Sequence, residues 1–438
     1  MDWQRAGAAE IGRAIEAGRA DPVDIAGLFL DAAACHPDGA RIYARLTPER
    51  ARAEAEAARI RARLGARRGP LDGVPVSWKD LFDTAGTGTE GGTPYLRGRV
   101  PEHDAELVAR GAEAGLVCLG KTHMTEIAFS GLGLNPATAT PPNIHDPAWL
   151  PGGSSSGAAA SVAFGLAPGA IGSDTGGSVR LPAAWNGLVG FKPPWGALPL
   201  RGALPLCPGF DTAGPLARSV EDAALLWEAL GGPRVDLRGA SAAGLRLGVP
   251  RQVVCDDLEE APARAFEAAL ARLGAAGARI ATVDLPALPA CYPAGAILYA
   301  AEAWASWRAV VEPDPSRMFP PVLERLLAGA DTEAAAFLAA RAALEEARRD
   351  SVEVLAGLDA VLCPASPILP PDREAVAADY ALFRTRNLQA LRNTRMANLL
   401  GLASVALPLP EAGCGLLLSA PRAEALLRTA RAAERVLS

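Results

Sequence analysis

Two hydroxyl clusters framed by glycine are the residues best suited to chemistry in this chain. The first is Gly152-Gly153-Ser154-Ser155-Ser156-Gly157, and the second is Gly176-Gly177-Ser178. A run of small, mostly apolar residues joins them. Glycine admits positive φ and lets backbone approach a ligand closely. Consecutive N–H groups in a tight turn at 176–178 can stabilise an oxyanion, at roughly 3–4 kcal/mol per donor. The serines of the first cluster are open to three readings: a nucleophile, a phosphate-binding loop at a helix N-terminus, or a helix cap. Composition leaves all three open.

Residues 153–157 fit the G-x-S-x-G nucleophile elbow, which requires an acid and then a histidine downstream. All four histidines (His36, His103, His123 and His145) precede Ser155, so the chain order fails. A Walker loop needs Gly-Lys-Ser/Thr, which does not follow the serine cluster. Residues 115–122 fit that pattern formally, but Leu116-Val117-Cys118-Leu119 reads as a strand. A serine nucleophile without histidine needs another base, and a desolvated, neutral lysine can serve. The chain holds three lysines, Lys79, Lys121 and Lys192, among 43 basic residues. The arginines stay protonated and cannot act as base. Lys79 ends an apolar stretch with neither glycine nor proline beside it. The competing reading is a strand-end lysine paired with Asp80 or Asp83. His123 and Glu126 do not form the H-E-x-x-H zinc pattern and read as capping and surface hydrogen-bonding groups.

These groups must be positioned by alternating helices and strands. Apolar spacing predicts two helices over 8–34 with Asp21-Pro22 between them. It predicts strands at 43–46 and 116–120, a turn followed by a strand over 71–80, and an exposed helix over 48–68. Further helices are expected at 104–114, from 181, and at 219–230. Residues 187–199 and 209–215 read as loop, with a turn at 211–215. A candidate linker spans 233–244. Strands at 245–249, 280–283, 360–363, 404–407 and 414–418 then alternate with helices that end with 423–437. Such alternation predicts α/β architecture with much of the sheet parallel.

The 438 residues, half of them hydrophobic, suffice for a large core. A net charge of −6 argues against a nucleic-acid partner. Seven scattered cysteines without a C-x-x-C pair suit reduced thiols. The N-terminus lacks a signal-peptide pattern, and no uninterrupted apolar run reaches the roughly 18–20 residues of a membrane span. A cytoplasmic protein without membrane attachment is the expectation.

Several stretches together resemble the amidase signature family. They are Gly73-Val74-Pro75-Val76-Ser77-Trp78-Lys79-Asp80, Gly120-Lys121-Thr122-His123-Met124-Thr125-Glu126, residues 151–157, and Gly172-Ser173-Asp174-Thr175-Gly176-Gly177-Ser178-Val179-Arg180. Residues 187–193 and 211–218 continue the likeness. It is dense over about 65–230 and thinner beyond. The resemblance implies a large mixed β-sheet covered by helices on both faces, in one domain spanning 1–438. Its signature core would be about 65–230 and its substrate-selectivity half about 245–438.

The resemblance also implies a Ser–Ser–Lys triad. Ser178 would be the nucleophile, Ser154 the bridging serine on a cis peptide bond, and Lys79 the base. The N–H groups of Thr175, Gly176, Gly177 and Ser178 would form the oxyanion hole. Ala128 would line the acyl pocket, with Ser155 hydrogen-bonding in the substrate shell. Asp174 and Arg180 would hold the loop. No metal or organic cofactor is implied. The implied partner is a small-molecule amide, with a homodimer as one assembly option. The implied activity is hydrolysis of a carboxylic amide through an acyl-enzyme, releasing ammonia or an amine. The alternatives are the glutaminase-type subunit of a tRNA-dependent amidotransferase and an inactive ligand-binding scaffold. The chain departs from the family pattern at His123, where Asn is usual, at Pro194, where Thr is usual, and at Ser156, which replaces Gly as a common variant. These departures bear on specificity.

Overall fold

In the computed structural model, which describes residues 2–438, eleven strands form one sheet. They are β1 (Tyr43–Leu46), β2 (Pro75–Lys79), β3 (Val117–Thr122), β4 (Gly169–Asp174), β5 (Val189–Lys192), β6 (Thr212–Ala217), β7 (Arg246–Pro250), β8 (Arg279–Val283), β9 (Ala360–Pro364), β10 (Ala403–Pro408) and β11 (Gly415–Ala420). Their spatial order is β1-β3-β2-β4-β6-β5-β10-β11-β9-β7-β8. Every residue of β2, β3, β4, β6, β9 and β11 is buried. Helices therefore cover both faces, as a sheet without a solvent side requires.

The sheet is mixed, and parallel pairing is confined to two places. β2 lies parallel between β3 and β4, and β7 lies parallel between β8 and β9. The centre, from β4 through β6, β5, β10 and β11 to β9, is antiparallel throughout. Parallel pairing is thus less extensive than strand–helix alternation suggests, and the mixed sheet is the one the resemblance implies. Two of the antiparallel strands, β5 and β6, fall where loop and turn were expected. Their glycines are needed for close packing: a Cβ on Gly214 would sit 2.0 Å from the Phe191 carbonyl oxygen.

One sheet face is covered by the helix Ser156–Ala163, of sequence SGAAASVA, of which all but Ala163 are buried. Its short side chains let the backbone approach closely: a Cβ on Gly157 would lie 2.5 Å from the Ile42 carbonyl oxygen. Ala158, Ala159 and Val162 pack with Ala170, Ala183 and Leu216 in a compact small-residue layer. The C-terminal helix Ala423–Leu437 buries Leu426, Leu427, Ala430, Ala433 and Leu437, an amphipathic stripe with helical spacing. The long helices Leu288–Val311 and Ala334–Ala356 pack on each other. Among the described residues, no helix is long and apolar enough to cross a membrane.

Candidate active site

β2 and β4 are adjacent and parallel, so their C-terminal ends meet at one edge of the sheet. β2 delivers Lys79 there, and β4 delivers Ser173, Asp174 and the turn 175–178. Such strand ends are where α/β sheets place ligands. Side chains alternate along β2. Ser77 reaches the helix Ser156–Ala163 through Ser161 (Oγ to Oγ 2.8 Å), while Trp78 packs edge-to-face on Phe82 at 5.6 Å. Lys79 shares the face of Ser77 and so points toward the serine cluster.

Lys79 is fully buried, and its Nζ lies 2.6 Å from Ser154 Oγ and 2.8 Å from Ser173 Oγ. Burial drives its pKa down from 10.5 to about 7, against the opposing pull of the Asp174 and Asp211 carboxylates. Neither neighbouring aspartate pairs with it. Asp80 meets Lys121 and Arg45, each at 3.3 Å, and Asp83 is bound by Arg99. The strand-end ion pair considered for Lys79 is therefore absent. Ser173, which sequence reasoning did not single out, is the second hydroxyl on the amine.

Ser154 follows a cis peptide bond after Gly153. Its loop is pinned by backbone hydrogen bonds from Gly153 N to Gly131 O (2.7 Å) and from Thr125 N to Ser154 O (3.2 Å). Ser178 sits in the turn beyond β4, and its carbonyl accepts from Ser155 N at 3.2 Å, which ties the two serine segments together. The Ser178 hydroxyl makes no protein hydrogen bond among the described residues and lines a cavity with Ala128, Thr175 and Gly176.

Asp174 and Arg180 form a buried, two-pronged ion pair with both contacts at 2.9 Å. Arg180, its partner, holds the Asp174 carboxyl well below the usual carboxylate range despite burial. The same carboxylate accepts from Gly177 N (2.8 Å), Val179 N (3.1 Å) and Asn398 Nδ2 (2.9 Å). This corrects the expected oxyanion hole. The Gly177 N–H is spent on Asp174, which leaves the N–H groups of Thr175, Gly176 and Ser178 without protein acceptors among the described residues. Glycine is required at 177 for another reason: φ is +134°, and a Cβ would meet Thr394 Oγ1 at 2.0 Å.

Ala128 lines the cavity beside Ser178. Ser155 does not. Its hydroxyl donates to Ser173 O (3.2 Å) and accepts from Ser173 N (3.3 Å), so it fastens the loop to β4 rather than facing a ligand. Glu126 is not a surface group either. It is buried and accepts from Thr93 Oγ1 (2.8 Å) and Phe319 N (2.9 Å). Burial takes His123 down to about 4.

The cavity has two lobes that share Ala128, Thr175 and Leu206. The smaller, about 30 Å³, opens on Ser178 and is bordered by Tyr299, Arg325 and Arg395. The larger, about 210 Å³, is mostly apolar, with Leu81, Leu200, Leu204 and Pro205 on its walls and Ser173 and Asp211 at its floor. Asp211 is buried and accepts from Thr175 Oγ1 at 2.5 Å, and the Tyr299 phenol donates to Thr175 O at 3.1 Å. A wider depression of about 910 Å³ near Glu221, Arg234 and Arg435 differs in its lining, which is of mixed charge and holds none of the serines. Among the described residues, no three His, Cys, Asp or Glu side chains come together as a metal cluster.

Comparison with known proteins gives this geometry a context. A sequence model of the Amidase family matches residues 28–419. A 2-amino-5-chloromuconic acid deaminase from Comamonas testosteroni is 36% identical over 404 residues, 88% of this chain and 87% of that protein. A glutamyl-tRNA(Gln) amidotransferase subunit from Anaeromyxobacter dehalogenans is 42% identical over 252 residues, 54% of this chain and 51% of its own length. Among solved structures, an amidase superposes with a TM-score of 0.90 at 35% identity, covering 99% of this chain and all of that one (100%).

Proposed function

From the premise that the chain belongs to the amidase family and is a hydrolase acting on amides, we propose that it cleaves a carboxylic amide by a Ser178–Ser154–Lys79 acyl-enzyme mechanism. The observation that carries this reading is the 2.6 Å contact between a fully buried, unpaired amine and Ser154 Oγ. A lysine neutral near pH 7 has a lone pair with which to accept a proton. Lys79 takes the Ser154 proton as Ser154 takes that of Ser178, and Ser178 Oγ attacks the amide carbonyl. The tetrahedral oxyanion is held by the N–H groups of Thr175, Gly176 and Ser178, at roughly 3–4 kcal/mol per donor. The relay then runs in reverse to protonate the leaving nitrogen, whose bond to carbon breaks and leaves the Ser178 ester. Water, deprotonated through the same relay, attacks that ester, and the acid leaves as Ser178 regains its proton.

Ser178→Ala and Lys79→Ala should each abolish release of ammonia or amine across a panel of aliphatic, aryl and amino-acid amides, while far-UV circular dichroism stays unchanged. Retained turnover in either folded variant would overturn the mechanism. The 42% identity to the glutamyl-tRNA(Gln) amidotransferase relative favours a second reading, a glutaminase component of a larger enzyme. That reading requires glutamine selectivity and a stable heteromer on purification. The match spans only about half of that relative's length, so the free-standing hydrolase is the better-supported assignment.

A further inference from the structure

The small lobe beside Ser178 holds two guanidinium groups and no carboxylate. Arg395 makes no side-chain hydrogen bond and no ion pair among the described residues. Arg325 donates to the Phe129 carbonyl and stacks on the Phe129 ring at 4.1 Å, and it too has no acidic partner. The contrast with Arg180 is informative: that arginine, fully buried, is matched in both prongs by Asp174, whereas the partly buried Arg325 and Arg395 meet no carboxylate. Burial holds both lobe arginines below the ordinary arginine value, and the charge of Arg395 adds to the cost of charging Arg325. Two like charges taken partly out of water need an opposite charge to offset desolvation. No residue of the lobe supplies it. Tyr299 cannot compete as a donor, because its hydroxyl is engaged with Thr175 O.

Resting on the amidase reading, we propose that Arg325 and Arg395 bind a carboxylate on the substrate, so that the enzyme selects short amides bearing an anionic group. The fork of a guanidinium matches the two oxygens of a carboxylate. The lobe's volume of about 30 Å³ admits a group of that size and no extended chain. The apolar lobe of about 210 Å³, reached past Thr175 and Leu206, takes the uncharged remainder. The substrate is thus held across the nucleophile, with its charge in one lobe and its hydrocarbon in the other. A carboxylate in that lobe also lies beside the donor groups that receive the oxyanion, so the two arginines fix the register of the scissile carbonyl against Ser178.

The test compares matched amides: malonamate and succinamate against propionamide and butyramide, with ammonia release as readout. The wild type should favour each anionic amide by roughly 100-fold or more in kcat/KM, an effect of the size seen when a buried charge pair is broken. Arg395→Leu should shrink that preference, taken as the ratio within one protein, to below about 10-fold. Arg395→Lys should restore part of it. A wild-type ratio near one, or an unchanged ratio in a folded Arg395→Leu, overturns the proposal. A second measurement needs neither a variant nor turnover: succinate should slow fluorophosphonate labelling of Ser178 in the wild type, and no slowing up to about 50-fold excess over the probe counts against the site. The two readings fail separately. Loss of labelling altogether, or labelling that survives Ser178→Ala, refutes the nucleophile, whereas labelling without carboxylate dependence refutes only the arginine subsite.

Discussion

The pH dependence of turnover is the most direct consequence of burying Lys79. An exposed lysine with a pKa of 10.5 would be neutral in about 1 molecule in 3,000 at pH 7. Burial brings the group to about 7, a free-energy difference of roughly 5 kcal/mol in favour of the neutral amine. About half of the enzyme then carries a competent base at pH 7, about a tenth at pH 6 and about nine-tenths at pH 8. Because the base must be unprotonated, kcat/KM should rise with pH and level off, with a limb near 7 and a fall of about 10-fold from plateau to pH 6. The assay is kcat/KM for any amide accepted by the wild type, measured from about pH 5.5 to 9 at constant ionic strength. His123, held near 4 by burial, cannot supply this limb. Lys192, also lowered to about 7, could mimic it. It donates only to the Pro193 carbonyl, so the limb should stay at the same pH in Lys192→Met. A flat profile between pH 6 and 8, a limb above 9, or a limb that moves with Lys192 would each refute the reasoning.

The packing around the site sets two expectations for stability. Gly157→Ala would place a methyl group 2.5 Å from Ile42 O and 2.7 Å from both His123 N and His123 O, all of them backbone atoms that cannot rotate away. It should cost about 2–3 kcal/mol, measurable by urea denaturation, and it should lower activity because Ser154 is carried on the same loop. Arg180→Leu strands the Asp174 carboxylate in the interior and should cost about 3–5 kcal/mol. Adding Asp174→Asn should recover part of that loss, and a double variant less stable than Arg180→Leu alone would count against the ion-pair account.

How far the sequence carries depends on where the information lies along the chain. Lys79, Ser154, Asp174, Ser178 and Arg180 are fixed by short motifs, and their packing partners are largely local to β2, β4 and the helix Ser156–Ala163. β5 and β6 escaped because Gly190, Gly214 and Pro215 are turn formers by propensity. In the sheet the same residues serve contact instead: Gly190 sits under Ala183, whose Cβ a side chain would meet at 2.7 Å, and Gly214 lies against Phe191 O. Tertiary packing thus overrode local preference. Ser155 misled for a different reason. Neighbouring serines in one cluster point in different directions, and sequence carries no record of which hydroxyl turns to β4. Arg325 and Arg395 lay outside reach altogether, because each is one arginine among many on an ordinary helix, and only the fold shows that no acid meets them.

The helix Arg392–Leu399 ties the proposed substrate pocket to the turn after β4 across more than 200 residues of chain. Thr394 Oγ1 donates to Gly176 O (2.8 Å), Thr394 O accepts from Arg180 Nη1 (2.8 Å), and Asn398 Nδ2 donates to Asp174 (2.9 Å). Residues 394 and 398 are one helical turn apart and share a face, and that face clamps the nucleophile loop. Residue 395 lies about 100° further round the helix and faces the small lobe. On the proposed reading, one rigid element holds the turn 175–178 with two residues and offers a charge to the substrate with a third. If Arg395 binds substrate as proposed, replacing its side chain should change what is bound while Thr394 and Asn398 keep the turn in place.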